Sequence, residues 1–490
     1  MSTPLLPFNF AKRYGVLVTE ANEQSAKVIY HSSPNTLILT ELRRHLNLPL
    51  ILEHVEEEKF SHLLVKTYET DSSIAMQMAE DLGGSMDLFD LMQELPKSED
   101  LLEKQDDAPI IRLLNALLSE AIKDGASDVH IETFEARVLI RFRVDGVLRE
   151  VLEPQRILAP LIISRIKIMA KLDIAEKRLP QDGRITLRIA GRAVDVRVST
   201  MPTSHGERVV LRLLDKQNAR LNLADLGMEP TVLGRMENLI AIPHGIILVT
   251  GPTGSGKTTT LYAALTALNN HQRNILTVED PIEFDLSGIG QTQVNTKVQM
   301  TFAKGLRAIL RQDPDIVMVG EIRDLETAQI AIQASLTGHL VLSTLHTNSA
   351  IGAITRLDDM GIEPFLLASS LIGVVAQRLM RLLCPHCKKS RSASKSECET
   401  LGISLSSPPL IYFPTGCEQC RETGYSGRSG VYELIIIDEP LRALIHDRKP
   451  EPQLKAYART LFPSIRQDGF RRVLAGDTSL EEILRITSEE

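Results

Sequence analysis

Residues 251–258 read Gly251-Pro252-Thr253-Gly254-Ser255-Gly256-Lys257-Thr258, and they constrain this chain more than any other stretch. They match G-x-x-x-x-G-K-[ST] in full. The context fits as well: an apolar run, Gly245–Thr250, precedes them, and Thr259 to Leu268 reads as a helix. The glycines let such a loop wrap closely and aim backbone N–H groups at phosphate oxygens, and the helix N-terminus adds positive potential. All eight residues are therefore expected to line a phosphate site. Lys257 should reach the β- and γ-phosphates of a nucleotide, and the Thr258 hydroxyl should ligate Mg²⁺.

Buried-type strands alternate with helices around this loop, at Gly245–Thr250, Asn274–Val278, Ile316–Val319 and Leu340–Ser343. That pattern predicts an α/β domain with a parallel sheet covered on both faces. Ligands bind at the strand ends of such sheets. Hydrolysis needs acids there, and two segments offer them: Thr277-Val-Glu-Asp-Pro-Ile-Glu-Phe284 and Asp315-Ile-Val-Met-Val-Gly-Glu321. A third segment, Thr337 to Thr347, brackets a strand between His339 and His346, and both histidines are read as possible sensors of a γ-phosphate.

With 490 residues and about 150 per domain, roughly three domains are expected. Acidic residues concentrate in residues 1–107, whereas 108–218 is net basic. Residues 1–80 read as a small folded domain, with strands at Val16–Val18, Ala26–Tyr30 and Leu63–Val65 and a helix from Thr40 to Leu46. Residues 81–107, rich in Asp, Glu, Ser and Gly, read as a linker. In 108–218, a helix from Ile110 to Asp124 stops at Gly125. Alternating segments at 138–144, 185–189, 193–198 and 208–213 read as antiparallel strands with Arg on the open face, and Arg156 to Leu172 as a helix between them, which makes an α+β domain. Residues 219–490 hold the phosphate loop, and their tail from Leu434 to Ser488 reads as largely helical. The most apolar run, Phe365 to Ala376, falls short of the ~20 residues a membrane helix needs, and the N-terminus lacks signal-peptide character. A cytosolic protein is expected.

Four of the five cysteines form two pairs, Cys384-Pro-His-Cys387 and Cys417-Glu-Gln-Cys420, 29 residues apart. In a reducing compartment this spacing favours a structural Zn²⁺ site of four thiolates in an insertion at 384–420, with Gly416 and Gly424 at its tight turns. Four free thiols, or a redox pair, is the alternative. Cys398 has no partner in the pattern, and His386 is superfluous as a ligand. Arg378, Arg381, Lys388, Lys389 and Arg391 nearby form a basic cluster. It reads as a solvated face, with a membrane partner's cytosolic loop or acidic lipid headgroups as the alternative.

Taken in order, the phosphate loop, the Val-Glu-Asp-Pro-Ile-Glu box, the Gly-Glu-Ile-Arg-Asp box and the Thr-Gly-His…Leu-His-Thr box resemble the secretion ATPases of the type II and type IV pilus class. Gly125-Ala-Ser-Asp-Val-His-Ile-Glu132 and Arg178-Leu-Pro-Gln-Asp-Gly-Arg184 extend the resemblance over about 108–490. Length and the tetracysteine element make the chain most similar to the assembly ATPase of type II secretion (GspE/PulE type). The resemblance implies a RecA-like P-loop ATPase domain, preceded by α+β N-terminal domains and carrying a zinc-ribbon insertion. It implies ATP, Mg²⁺ and Zn²⁺ as ligands, with Glu283 polarising the attacking water, Glu321 holding the Mg²⁺ shell, and Glu279 and Asp280 in support. Arg197 and Arg212 match the family's arginines that reach a nucleotide in a ring hexamer, and Arg178 and Arg184 are weaker matches.

The function this implies is a cytosolic hexameric ATPase that powers pseudopilus assembly and protein export across the outer membrane. Its partners would be an inner-membrane secretion protein, met through residues 1–80, and a polytopic inner-membrane platform protein, so that membrane contact is indirect. A pilus-extension ATPase would share the chemistry. An adaptor that uses ATP only as a structural ligand is another alternative. A nucleic-acid motor is the different-class alternative, and a net charge of -8 with 4% aromatics and no Trp counts against it.

Overall fold

The computed structural model describes Leu6, residues 14–21, 25–31, 36–46 and 48–56, Phe60 and Leu63, and then 108–189, 192–215, 222–270, 272–404 and 406–488. The expected linker at 81–107 lies outside the described residues. The chain divides into two compact units, residues 1–217 and 218–490.

The first unit opens with a three-stranded sheet of β1 (Val16–Ala21), β2 (Ala26–Tyr30) and β3 (Leu50–His54), in that order, with α1 (Thr36–Leu46) crossing between the parallel β2 and β3. Val16, Leu17, Val18 and Val28 bury against Leu42 and Leu46 of the helix. Leu63, expected in a strand, is helical, and Leu64 and Val65 lie outside the described residues.

α2 (Ala108–Lys123) follows, its apolar stripe of Ile110, Leu113, Leu114, Leu117 and Ala121 repeating at helical spacing. Gly125, at φ 64°, lies just past its end, where a left-handed residue is needed. Next come β4 (Asp128–Thr133), β5 (Val138–Val144), β6 (Val147–Leu152), α3 (Ala159–Met169), β7 (Gln181–Ile189), β8 (Arg192–Thr203) and β9 (Gly206–Asp215). They form an antiparallel sheet in the order β6-β5-β4-β9-β8-β7, one face of which packs on α2 and α3. The alternation is as expected: Val194, Val196 and Val198 point into the core, as do Val209, Leu211 and Leu213. The Lys167 ammonium of α3 is buried against Glu207 of β9 and donates to the Glu176 carbonyl at 2.8 Å.

The second unit comprises α4 (Pro230–Ile240), β10 (Gly245–Thr250), α5 (Lys257–Leu268), β11 (Ile275–Glu279), β12 (Gly290–Gln293), α6 (Phe302–Ile309), β13 (Ile316–Val319), α7 (Leu325–Leu336), β14 (Leu340–Leu345), α8 (Ala350–Asp359), α9 (Pro364–Ser370), β15 (Leu371–Leu383), β16 (Lys389–Ser392), α10 (Lys395–Leu401), β17 (Leu410–Phe413), β18 (Tyr425–Ile436), α11 (Glu439–His446), α12 (Glu451–Leu461), α13 (Ile465–Leu474) and α14 (Leu480–Ile486). Seven strands line up as β12-β11-β13-β14-β10-β15-β18, all parallel except β18. Ile246 and Leu248 of β10 enter one core, and Ile247 and Val249 enter the other. Burial on both faces is why these strands read as unbroken apolar runs.

The apolar run Phe365–Ala376 is split between α9 and β15, the strand that pairs with β10. No described helix is long and apolar enough to cross a membrane. The cysteine-bearing segment lies between the antiparallel neighbours β15 and β18 and carries the β16–β17 ribbon. The tail is helical from Glu439, whereas Leu434–Ile436 completes β18.

Candidate nucleotide site and metal centre

The loop between β10 and α5 is shaped by its glycines. Gly251, Gly254 and Gly256 have φ of 148°, 79° and 86°, in the region that disfavours side chains. A Cβ on Gly251 would stand 2.4 Å from the Gln377 carbonyl oxygen. The Lys257 ammonium curls back to donate to the carbonyls of Gly251 at 2.8 Å and Pro252 at 3.1 Å. Burial pulls its pKa below the usual lysine value, and the Glu321 carboxylate partly opposes that. Thr258 is exposed at the start of α5.

The strand ends converge as expected. β13 passes through Gly320 to Glu321, whose carboxylate accepts from Arg323 at 2.5 Å and lies 3.5 Å from His346 Nε2. Partial burial, then the Lys257 charge, lowers the His346 pKa, and Glu321 raises it. Thr250 and Thr347 close the ends of β10 and β14 through a 2.7 Å contact between their hydroxyls.

Two expectations change. Glu279 is buried and saturated: Tyr262 OH donates to it, as do Thr277 Oγ1 at 2.6 Å and Gln291 Nε2 at 3.0 Å. It ties α5, β11 and β12 together rather than facing the site. His339 is at the opposite, N-terminal end of β14, where its ring meets the Ala334 carbonyl at 2.8 Å at the end of α7. It is therefore no phosphate sensor, because the phosphate loop follows the other end of the sheet. Asp280 is exposed, and Glu283 is half-buried beside Tyr262, whose OH accepts from the Glu283 N–H at 3.2 Å.

Arg197 and Arg212 belong to the first unit and share one row across its sheet. In register order the row is Arg143, Asp128, Arg212, Arg197 and Arg184, from β5 to β7. Four arginines face one acid, and Arg212 Nε donates to Asp128 at 2.9 Å. Arg178 lies outside this row, paired with Glu176 at 2.7 Å.

The four cysteine sulfurs lie within 4.8 Å of one another. Cys384 and Cys417 are 3.9 Å apart, Cys387 and Cys420 3.7 Å, and Cys417 and Cys420 3.7 Å. A tetrahedron of ~2.3 Å Zn–S bonds has edges of about 3.8 Å, so the donor set fits that ion. The N–H groups of Cys417 and Gly424 each donate to Cys420 Sγ at 3.2 Å, which favours a thiolate there. Cys398 is buried in α10, near the Ala393 carbonyl and apart from the cluster.

Sequence reasoning missed Arg323, Tyr262, Gln291 and Gln377. Arg323 stands in the Gly-Glu-Ile-Arg-Asp box and was open to notice, whereas the others reach their partners only through strand order.

A glycine-wrapped loop at the end of a central parallel strand, with a lysine, an acid and a histidine converging beside it, defines a P-loop ATPase of RecA-like architecture. The chain belongs to the Type II/IV secretion system protein family, whose model matches residues 103–485, and residues 5–68 match an N-terminal domain of GSPII protein E. The Type II secretion system protein E of Pseudomonas aeruginosa is 61% identical over 99% of this chain and 96% of its own length. The Type II secretion system ATPase E of Vibrio cholerae is 60% identical, over 99% and 97%. Among solved structures, the pilus retraction motor PilT with bound ADP aligns at a TM-score of 0.52 and 27% identity, covering 76% of this chain and 96% of that one. The Legionella pneumophila ATPase DotB, at 21% identity, has a TM-score of 0.57 over 77% of this chain and 96% of its own, and shows the same fold.

Proposed function

We propose that this chain is the ATPase of a type II secretion machine. It hydrolyses ATP to ADP and phosphate, and a ring of six copies converts that cycle into assembly of a short pseudopilus and export of proteins across the outer membrane. The observation that carries the reading is the meeting of Lys257, Glu321 and His346 beside the phosphate loop. Relatives named Type II secretion system protein E supply the choice of machine.

In this reading the backbone N–H groups of residues 251–258 and the Lys257 ammonium hold the phosphates. Thr258 and Glu321 are the residues that would hold Mg²⁺, which when bound neutralises charge on the phosphate oxygens. Glu283 orients the attacking water and takes its proton. Arg197 and Arg212 supply fixed positive charge to the γ-phosphate in the transition state. His346 reports on the γ-phosphate through its contact with Glu321. Cys384, Cys387, Cys417 and Cys420 hold a structural Zn²⁺, a closed shell with no open position for catalysis.

The domain organisation we propose is a docking domain in 1–80, a linker in 81–107, an α+β domain in 108–218 and the ATPase domain in 219–490 with its zinc-binding insertion at 384–420. The protein works at the cytoplasmic side of the inner membrane. Its docking domain meets an inner-membrane secretion protein, and the ring meets a polytopic platform protein. The deciding experiment pairs Mg²⁺-dependent ATP hydrolysis by the full chain with rescue of a source strain lacking its gene. Wild type should hydrolyse ATP and restore export, and Lys257→Ala should do neither. A Lys257→Ala chain that hydrolyses ATP normally, or a wild-type chain that restores pilus extension rather than export, defeats the reading.

A further inference from the structure

Gln377, on β15, belongs to none of the four motif segments, yet it touches the phosphate loop at both ends. It is 1% exposed. Its main-chain carbonyl oxygen stands where a Cβ of Gly251 would be, 2.4 Å away. Its side-chain Nε2 donates to the Ser255 carbonyl at 2.7 Å, and its Oε1 accepts from Thr260 Oγ1 at 2.8 Å. A Cβ on Gly256 would lie 3.3 Å from the same Nε2. One amide thus spans the loop and the first turn of the helix that follows it, with both of its polar atoms used.

The geometry points to Gln377 as a positioning residue for nucleotide binding. In a trans peptide the C=O of one residue and the N–H of the next point in opposite directions. The Gln377 amide holds the Ser255 carbonyl toward β15, so the Gly256 N–H is held facing away from β15. Gly256 has φ 86°, and a glycine in this region sits in a shallow conformational well. Without an anchor, the 255–256 peptide can flip and turn a carbonyl oxygen, which repels phosphate, to the side where the N–H is needed. The Ser255 carbonyl, which can only accept, fixes which way round the Gln377 amide lies, and the Thr260 hydroxyl donates to the oxygen end that this leaves facing it. Gln377 itself touches no phosphate, and its effect passes through the loop backbone. Seven residues further along the chain is Cys384, so the strand that steadies the loop also leads into the four-cysteine element.

This inference rests on the nucleotide-binding reading, and its test separates the two. The full chain is titrated with a fluorescent ATP analogue in Mg²⁺, and melting temperature is followed with and without nucleotide. Wild type binds and Lys257→Ala does not; if wild type fails to bind, the nucleotide reading itself falls. Gln377→Met keeps the length and packing but removes both polar atoms. It is expected to bind about tenfold more weakly, the scale of one hydrogen bond. Its KM should rise more than its kcat falls, its unliganded melting temperature should fall by a few degrees because the buried Thr260 hydroxyl and Ser255 carbonyl lose their partner, and its nucleotide-induced rise should shrink. Thr260→Val removes the donor to Oε1 and leaves the amide held at one end only, so it should weaken binding in the same sense, whereas Thr260→Ser keeps the donor and should keep wild-type affinity. This pair carries the test if Gln377→Met does not fold. Wild-type affinity in both Gln377→Met and Thr260→Val, beside a wild-type chain that binds, overturns the proposal.

Discussion

His346 Nε2 lies 3.5 Å from Glu321 Oε2, joining the end of β14 to the acid that follows β13. The two strands are neighbours in the sheet, so a change at either end reaches the other through one contact. Partial burial first, and the Lys257 charge second, hold the His346 pKa below the usual histidine value. The ring is therefore neutral near pH 7. Because its folded pKa is depressed, any stability it lends is present above the unfolded histidine pKa of about 6.5 and fades as pH falls through that value toward the folded one. An NMR titration should place its midpoint below 6.5, the ordinary value. Glu321→Gln should lower the midpoint further, since Glu321 raises it. A midpoint that rises in that variant contradicts the contact.

Glu279 and Glu283 stand in one box but should behave differently. Glu279 is bound by Tyr262, Thr277 and Gln291, so Glu279→Leu leaves those donors unpaired and should cost about 1–3 kcal/mol of stability. Glu283→Gln should leave the melting temperature near wild type and slow hydrolysis by about a hundredfold or more, with nucleotide still bound. Chemical denaturation and a phosphate-release assay on both variants decide the division of roles.

The same phosphate-release assay tests Glu321. Glu321→Gln should retain ATP binding and lose about 10²–10³ in turnover, the scale of removing one preorganised electrostatic partner from an active site. Wild-type turnover of this variant at limiting Mg²⁺ would argue that the carboxylate lies outside the metal shell.

Zinc content gives an independent check on the four-cysteine element. Purified protein should carry one Zn²⁺ per chain by metal analysis, and Cys420→Ala should lose it, whereas Cys398→Ser should keep it. Removing the ion with a strong chelator should make the segment between β15 and β18 sensitive to protease before the seven-stranded sheet unfolds. Full metal retention in Cys420→Ala would contradict the tetrathiolate.

Arg212 pairs with Asp128 at 2.9 Å, on a sheet row that holds three further arginines. Arg197→Ala and Arg212→Ala should leave nucleotide affinity of dilute protein near wild type but slow hydrolysis by about 10³-fold, in the range that a transition-state arginine supplies. An equal loss of affinity and of turnover would instead mean a ground-state contact.

Much of this protein is legible in its sequence because the signals are local. The phosphate loop needs three glycines and a lysine at fixed offsets, the cysteine pairs need two-residue spacers, and buried parallel strands need short apolar runs. Each of these can be read within a window of about ten residues. The strands β13 and β10 lie where those runs predict them, and Glu321 and His346 arrive at the loop because both follow parallel strands of one sheet. Tertiary structure alone decided which polar residues face the nucleotide side and which serve the scaffold. Glu279 and Glu283 look alike in sequence, and only the arrival of Tyr262 from α5 and Gln291 from β12 makes Glu279 a buried tie. Gln377 lies 126 residues beyond Gly251, just after the apolar run that ends at Ala376, and has no motif of its own. Its role arises because β15 pairs with β10, and that pairing is set by the packing of two hydrophobic cores across the whole sheet. Local chemistry is written in residue types and spacing, whereas the partner of a buried polar group is chosen by contacts distant in the chain.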